Sequence, residues 1–293
     1  MDIRELKYFL AVAREENISK AADYLYITQP SLTRQIQSLE KEIGRQLFER
    51  KGRKMILTET GITLRKHAQE LVELYDKTQT ALAAPSNTIS GEVYIGGGES
   101  YAVKSIATIA KEIQREYPNI KFNFYSGDSI DVSEKLQKGL IDFGILIEAS
   151  DLEKYDCLRL PLKDVWGVLM RKDAPLADKK FITPEDLIDK PLILSKHSIA
   201  IRNIMRWMKT DLEKLNVVAT YNLIYNASLL VEEGIGYAIS LDKLVNTGKD
   251  SNFTFIPLLD APQSPLDIVW KKYQVFSPAA QIFLRKLQEK FLK

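Results

Sequence analysis

Apolar residues recur at helical spacing through the first eighty positions and at strand spacing beyond position ninety. Leu6, Phe9, Leu10 and Ala13 predict an amphipathic helix over 4–15. A second helix is expected from Ser19, a good N-cap, through Ala21, Ala22 and Leu25, where paired alanines let another helix approach closely. Thr28 is the expected N-cap of a third helix, with Pro30 in its first turn, where the missing N–H costs nothing. Leu32, Ile36 and Leu39 line one face of it. After Leu47-Phe48, residues 49–57 read as a short hairpin around Gly52. Thr58 is placed to cap a long helix running to about Ala84, before Pro85 and Ser86-Asn87-Thr88. Its positions Leu64, Ala68, Leu71, Tyr75, Thr78 and Leu82 follow a four-three spacing, a heptad seam that needs a covering partner.

From Gly91 the period changes. Strands are expected at Val93–Gly96, Ile120–Tyr125 and Ile141–Ile147, with helices over 101–117 and 130–138. The same alternation repeats from Val165 to Ile256, followed by a strand at 267–271 and a closing helix over 278–291. Alternation at these lengths predicts an α/β fold on largely parallel sheets, in two lobes.

Composition narrows the class without naming it. The 293 residues suit two or three units, and 45% hydrophobic with 27% charged residues is ordinary globular usage. One cysteine, Cys157, excludes an intramolecular disulfide. No stretch is apolar enough for a signal or a membrane span, so the expected location is the cytoplasm. The net charge of +2 is small, but residues 45–54 carry Arg45, Arg50, Lys51, Arg53 and Lys54 against Glu49 alone. A local basic patch of this kind suits phosphate contact.

The exposed face of the third helix then acquires meaning. Gln29, Ser31, Thr33, Arg34, Gln37 and Ser38 are hydrogen-bonding groups, and none is acidic. A polar helix face is ordinarily just solvated. Beside a capped start, an alanine pair and a basic hairpin tip, this one reads as the second helix of a DNA-binding helix-turn-helix. Gln can pair with adenine, Arg with guanine, and Ser or Thr with either a base edge or a phosphate.

The run from Ala21 to Gly61 resembles the LysR-type regulator signature nearly position for position. The matches include Ala21, Ala22, Leu25, Gln29, Pro30, Ser31, Leu32, Arg34, Gln35, Ile36, Leu39, Glu40, Gly44, Leu47, Phe48, Arg50, Arg53, Leu57, Thr58 and Gly61. Ile18 departs from the family's usual Ser or Gly. Looser matches follow at Tyr117-Pro118, at Leu136 with Gly139–Ile145, and at Val231–Ala238. The resemblance implies an N-terminal all-α winged helix-turn-helix, a long linker helix, and a C-terminal α/β two-lobed effector domain of the type II periplasmic-binding-protein kind. On that reading residues 1–58 bind DNA, 59–90 form the linker and dimerisation helix, and 91–293 receive the effector. Lobe I comprises 91–162 and 266–293, and lobe II 163–265.

The expected DNA contacts are Ser19, Thr28, Gln29, Pro30, Ser31, Thr33, Arg34, Gln37, Arg50, Arg53 and Lys54. Effector contacts are expected at strand-to-helix turns: Gly98, Glu99, Ser100, Tyr101, Asp128, Ser129, Ser195, His197, Ser198 and Asn226. Any single Ser or Asp at such a turn is more often a helix cap than a ligand contact. The Gly96-Gly97-Gly98 run and the Ser195–Ser198 turn are the stronger candidates. Glu99 and Asp128 would repel a dicarboxylate, whereas helix N-termini and Arg202 favour anions.

Expected partners are double-stranded promoter DNA, a small-molecule co-inducer, and a second copy through the linker helix, with a tetramer beyond it. RNA polymerase is a further candidate partner. Neither a membrane nor a cofactor is expected. Metal ligation finds no support, since His67 and His197 stand apart from any Cys/His cluster. No nucleophile elbow accompanies the serines near His197, and no Gly-Lys-Ser/Thr follows the glycine run. Neither an enzyme nor an exported solute-binding protein is therefore the expected class.

Overall fold

Capping and core positions decide the first element. The helix α1 (Ile3–Glu15) starts at a reciprocal capping box between Asp2 and Glu5, and it buries Leu6, Phe9, Ala11 and Val12. The structure is a computed structural model, and it describes residues 1–52, 54–82, 89–147, 153–196, 198–261 and 264–292. They form two compact units, Met1–Ala84 and Pro85–Lys293.

In the first unit α1 is followed by α2 (Ile18–Tyr24) and α3 (Gln29–Ile43). A two-stranded antiparallel ribbon comes next, β1 (Phe48–Lys51) and β2 (Lys54–Leu57), then α4 (Glu59–Leu82). One core joins them, with Phe9, Ala21, Leu32, Leu39, Leu47 and Ala68 fully buried. Ser19 is not the N-cap of α2. Asn17 holds that place, and its side chain accepts from Ser19 N and Lys20 N at 3.0 and 3.1 Å. Ser19 Oγ instead donates to Gln29 Oε1 at 3.1 Å, tying α2 to α3. Thr28 occupies the N-cap position of α3, yet its side chain makes no capping bond.

The heptad seam of α4 divides. Ala68 is buried and Leu64 and Val72 pack on the unit's own core, with Lys7 Nζ reaching from α1 to Asp76 Oδ1 at 2.7 Å. Leu71, Leu74, Tyr75 and Leu82 stay 47%, 38%, 39% and 76% exposed, a stripe without cover among the described residues.

The second unit contains two five-stranded sheets. Lobe I orders its sheet β4-β3-β5-β12-β6 from β3 (Gly91–Gly97), β4 (Ile120–Ser126), β5 (Phe143–Ile147), β6 (Tyr155–Asp164) and β12 (Ser264–Lys271). Lobe II orders β11-β7-β10-β8-β9 from β7 (Trp166–Arg171), β8 (Leu192–Ser195), β9 (Val217–Tyr221), β10 (Tyr237–Leu241) and β11 (Phe253–Pro257). The expectation of largely parallel sheets needs correction, because both are mixed. β3 pairs in parallel with β4 and β5, whereas β12 is antiparallel to β5 and β6. In lobe II β8 pairs in parallel with β9 and β10, and β7 is antiparallel to β10 and β11. Every antiparallel pair in the two sheets is made by β7 or β12, the strands that follow the two passages between lobes.

Helices cover both faces. In lobe I, α5 (Val103–Glu116) and α9 (Pro278–Phe291) enclose a core with Ile95, Ile109, Phe143 and Phe283 at its centre. The opposite face packs on α6 (Ser129–Gln137) through Val132 and Leu136. In lobe II, α7 (Ser198–Met208) and α8 (Ile224–Glu232) take the two faces. The lobes are joined at two adjacent passages, where Asp164 pairs with Ser264.

Candidate nucleic-acid interface and ligand cleft

In the first unit α3 is anchored from beneath and polar above. Leu32, Ile36 and Leu39 are buried, while Gln29, Pro30, Ser31, Arg34, Gln37 and Ser38 are exposed and Thr33 is half-buried. Thr33 Oγ1 donates to Gln29 O at 2.9 Å, so that hydroxyl is partly committed to the helix. Because Thr28 makes no side-chain cap, the first amides of α3 keep the free N–H groups and positive dipole end that suit a phosphate. Ser19 and Thr28 are exposed beside this helix start.

The ribbon is held in register with α3 by a group that sequence reasoning left aside. Glu40 Oε1 accepts from Leu47 N at 2.7 Å and Phe48 N at 3.2 Å. The other arm is tied to α1, with Met55 N donating to Glu16 O at 2.8 Å and Lys54 Nζ 3.3 Å from Glu16 Oε2. Thr58 then caps α4, accepting from Gly61 N at 3.0 Å and donating to Gln46 O at 2.8 Å. Gly61 has no alternative here, since a Cβ would stand 2.2 Å from Leu47 O. Arg50 and Lys51 are exposed at the ribbon tip, and Arg50 Nε lies 3.3 Å from Gly52 O. Arg53 lies outside the described residues. Tyr26, in the turn between α2 and α3, is 96% exposed with φ +55°. Its bare phenol was missed because nothing in the local pattern distinguishes it from a loop residue.

In the second unit a cleft of about 710 Å³, open solvent at its mouth included, lies between the lobes. From lobe I come Gly98, Glu99, Gly127, Asp128, Ser129, Ile145 and Leu146. Lobe II supplies Trp166, Ser195, Tyr221, Asn222, Ile224, Ser240, Leu241 and Leu244. Five of the sequence-predicted residues therefore meet in one cavity: Gly98, Glu99, Asp128, Ser129 and Ser195. Ser100 and Tyr101 line a neighbouring groove instead. Ser100 Oγ donates to Asp164 Oδ1 at 3.0 Å and accepts from Ala102 N at 2.9 Å, which makes it a turn-and-hinge residue. Asn226 is exposed on α8, and Asn222, four residues earlier at the strand end, lines the cleft. Ser198 opens α7, whereas His197 lies outside the described residues.

The glycine run also divides. A Cβ at Gly96 would stand 2.7 Å from Ile141 Cδ1, and one at Gly97 2.9 Å from Ile145 Cβ, so packing requires both. At Gly98 the nearest atom would be 3.9 Å away, and only this glycine lines the cleft.

Glu99 bridges the lobes. Its Oε2 accepts from Ile224 N, the first residue of α8, at 2.8 Å. Asp128 caps α6, accepting from Ile130 N and Asp131 N at 2.8 and 2.9 Å. Tyr221 Oη donates to Ile239 O at 2.8 Å, and burial pushes its phenol well above the ordinary range, with Glu99 adding to the shift. Asp164 is raised by burial, opposed by the Ser100 hydrogen bond, and its Oδ2 has no hydrogen-bond partner.

Two family models match this architecture. Residues 3–62 match the bacterial regulatory helix-turn-helix protein of the lysR family, and residues 86–292 match the LysR substrate binding domain. The chain belongs to the LysR family. It is a DNA-binding transcriptional regulator with an effector-binding domain, and not an enzyme. An HTH-type transcriptional regulator of Bacillus subtilis, YybE, is 28% identical over 97% of each chain. The HTH-type transcriptional activator IlvY of Salmonella typhimurium is 28% identical over 71% of each. The crystal structure of CbnR, a LysR family transcriptional regulator, matches with a TM-score of 0.80 and 19% identity over 99% of both chains. Full-length CbnR in complex with its target DNA matches at 0.78. At such identity these two structures speak for the fold. Among the described residues no helix is long and apolar enough to cross a membrane, and no cluster of His, Cys, Asp and Glu could hold a metal ion.

Proposed function

We propose that this LysR regulator reads promoter DNA as a homodimer, through the α3 face from Gln29 to Ser38 in the major groove and through the ribbon tip at Arg50 to Lys54 on the backbone. One observation carries it: an exposed, acid-free hydrogen-bonding face is fixed by three buried residues on the opposite side of the same helix. Ser19, Thr28 and the open start of α3 supply phosphate contacts, and Arg34 and Gln37 read base edges. Residues 1–58 are the DNA-reading part, 59–90 the connecting helix, and 91–293 the receiver.

The stripe Leu71, Leu74, Thr78 and Leu82 on α4 supports pairing with a second copy, which brings two reading helices to two half-sites about 34–36 Å apart. A dimer of dimers extends this to four half-sites, and RNA polymerase is the partner on which bound regulators act. The working compartment is the cytoplasm, where the DNA is. A small molecule in the cleft shifts lobe closure, and it does so only by binding the two arrangements with different affinity.

The test is a gel-shift titration on the upstream region of the neighbouring gene at physiological salt. Arg34→Ala is expected to cost about 1–3 kcal/mol and to relax preference at one base position. A uniform loss on all sequences would make Arg34 a phosphate contact. No specific binding to any upstream region would refute the assignment of this face.

A further inference from the structure

Resting on the reading that the cleft is the effector site, we infer that it takes a ligand bearing an ammonium or guanidinium group on an apolar body, and that Glu99 is the group that recognises the cation. The sites at which a cleft of this kind ordinarily welcomes an anion are backbone N–H groups at helix N-termini. Here the protein's own carboxylates already occupy two of them. Glu99 of lobe I reaches across to Ile224 N at the start of α8, 2.8 Å away, and Asp128 accepts the first amides of α6. Among the described residues lining the cleft there is no Lys or Arg, so its two charged side chains are both acidic. A ligand carboxylate would have to displace Glu99 and then sit beside it.

An ammonium meets the opposite situation. A carboxylate has about four acceptor positions, and the bond to Ile224 N takes one of them, so Glu99 can hold α8 and a cation together. Ile145, Leu146, Trp166, Leu241 and Leu244 give the wall its apolar surface, interrupted by neutral polar groups such as Ser195 and Asn222. Two lysines, Lys104 and Lys243, line the adjoining groove. Lys104 Nζ is 2.9 Å from Tyr101 Oη, and Lys243 Nζ stands 4.7 Å from the centre of the Tyr101 ring. A ligand with a carboxylate as well as an amine could place it there. Amino acids therefore fall within the class, and carboxylates without an amine fall outside it.

Two substitutions remove charge and keep geometry. Glu99→Gln retains an oxygen to accept from Ile224 N, and Asp128→Asn retains a good N-cap for α6; unchanged melting temperatures confirm folding. The full-length protein is titrated by calorimetry with four size-matched sets: primary amines and guanidines, amino acids, neutral alcohols and amides, and amine-free carboxylates. Binding is expected from the first two sets, and Glu99→Gln should weaken it about tenfold or more, with neutral compounds unaffected by the change. Tighter binding of amine-free carboxylates or neutral compounds overturns the inference, as does amine binding that Glu99→Gln leaves unweakened, or no binding from any set. Each binder is then added to the promoter gel shift. Amines that bind through Glu99 without altering DNA affinity would leave the ligand class standing and refute the effector reading. Carboxylates that bind the cleft and alter DNA affinity would do the reverse.

Discussion

Replacing Glu40 by alanine should release the β1–β2 ribbon from α3. Its Oε1 accepts two part-buried amides, Leu47 N at 2.7 Å and Phe48 N at 3.2 Å. A hydrogen bond to a charged group contributes roughly 1.5–3 kcal/mol, and losing the acceptor leaves the donors unsatisfied. The second bond is long and shares its oxygen with the first, so the pair is worth less than twice the single value, about 3 kcal/mol in all. Glu40 lies in the unit Met1–Ala84. For a domain of that size each kcal/mol moves the melting temperature about 4–8 °C, so Glu40→Ala should lower melting of this unit by about 12–24 °C. Hydrogen exchange on the full chain should show the amides of Leu47 and Phe48 losing protection by roughly a hundredfold, the equivalent of that energy. Glu40→Gln keeps an acceptor without the charge and should cost about half as much. If the ribbon contacts the DNA backbone as proposed, DNA affinity of the alanine variant should fall alike on all sequences. Unchanged protection at Leu47 and Phe48, with melting within a few degrees of the parent, would refute the argument.

Two further outcomes follow from packing and burial. Gly61→Ala places a methyl 2.2 Å from Leu47 O and 2.9 Å from Leu57 Cδ2, so it should destabilise the first unit by about 1–3 kcal/mol; an unaltered melting curve would show that the α4 start shifts freely. Burial holds the Asp164 carboxyl above its ordinary 3.8, so the folded state retains its proton longer than the unfolded chain does. Its contribution to stability is fully present below that ordinary value and is lost as pH rises through the folded pKa. Asp164→Asn keeps an oxygen for Ser100 Oγ and removes the titration, so urea midpoints of the second unit should favour the variant increasingly from pH 4 to pH 7. A difference that stays flat across that range would show that Asp164 is not desolvated in solution.

The sequence by itself determined the local elements of the reading unit and their order. Period and capping chemistry act over a few residues, so the helix at Gln29–Ile43, its buried face and the cap at Thr58 could be read directly. The same locality explains the misplacement at Ser19. Both Asn17 and Ser19 can cap, and only packing of α2 on α3 turned Ser19 toward Gln29. Strand direction was likewise undecided, because an apolar alternation is identical in parallel and antiparallel pairs, and β12 acquires its direction from β5 and β6, more than a hundred residues earlier. In the cleft, strand-to-helix turns brought Glu99, Asp128 and Ser195 into view, since such turns follow from element order. Trp166, Tyr221 and Leu241 were not visible, because apolar side chains that line a cavity have the same pattern as those that fill a core. What tertiary structure alone decided is the pairing of Glu99 with Ile224 N, groups 125 residues apart. A helix start in one lobe receives a carboxylate from the other only when two separately folded cores are brought face to face.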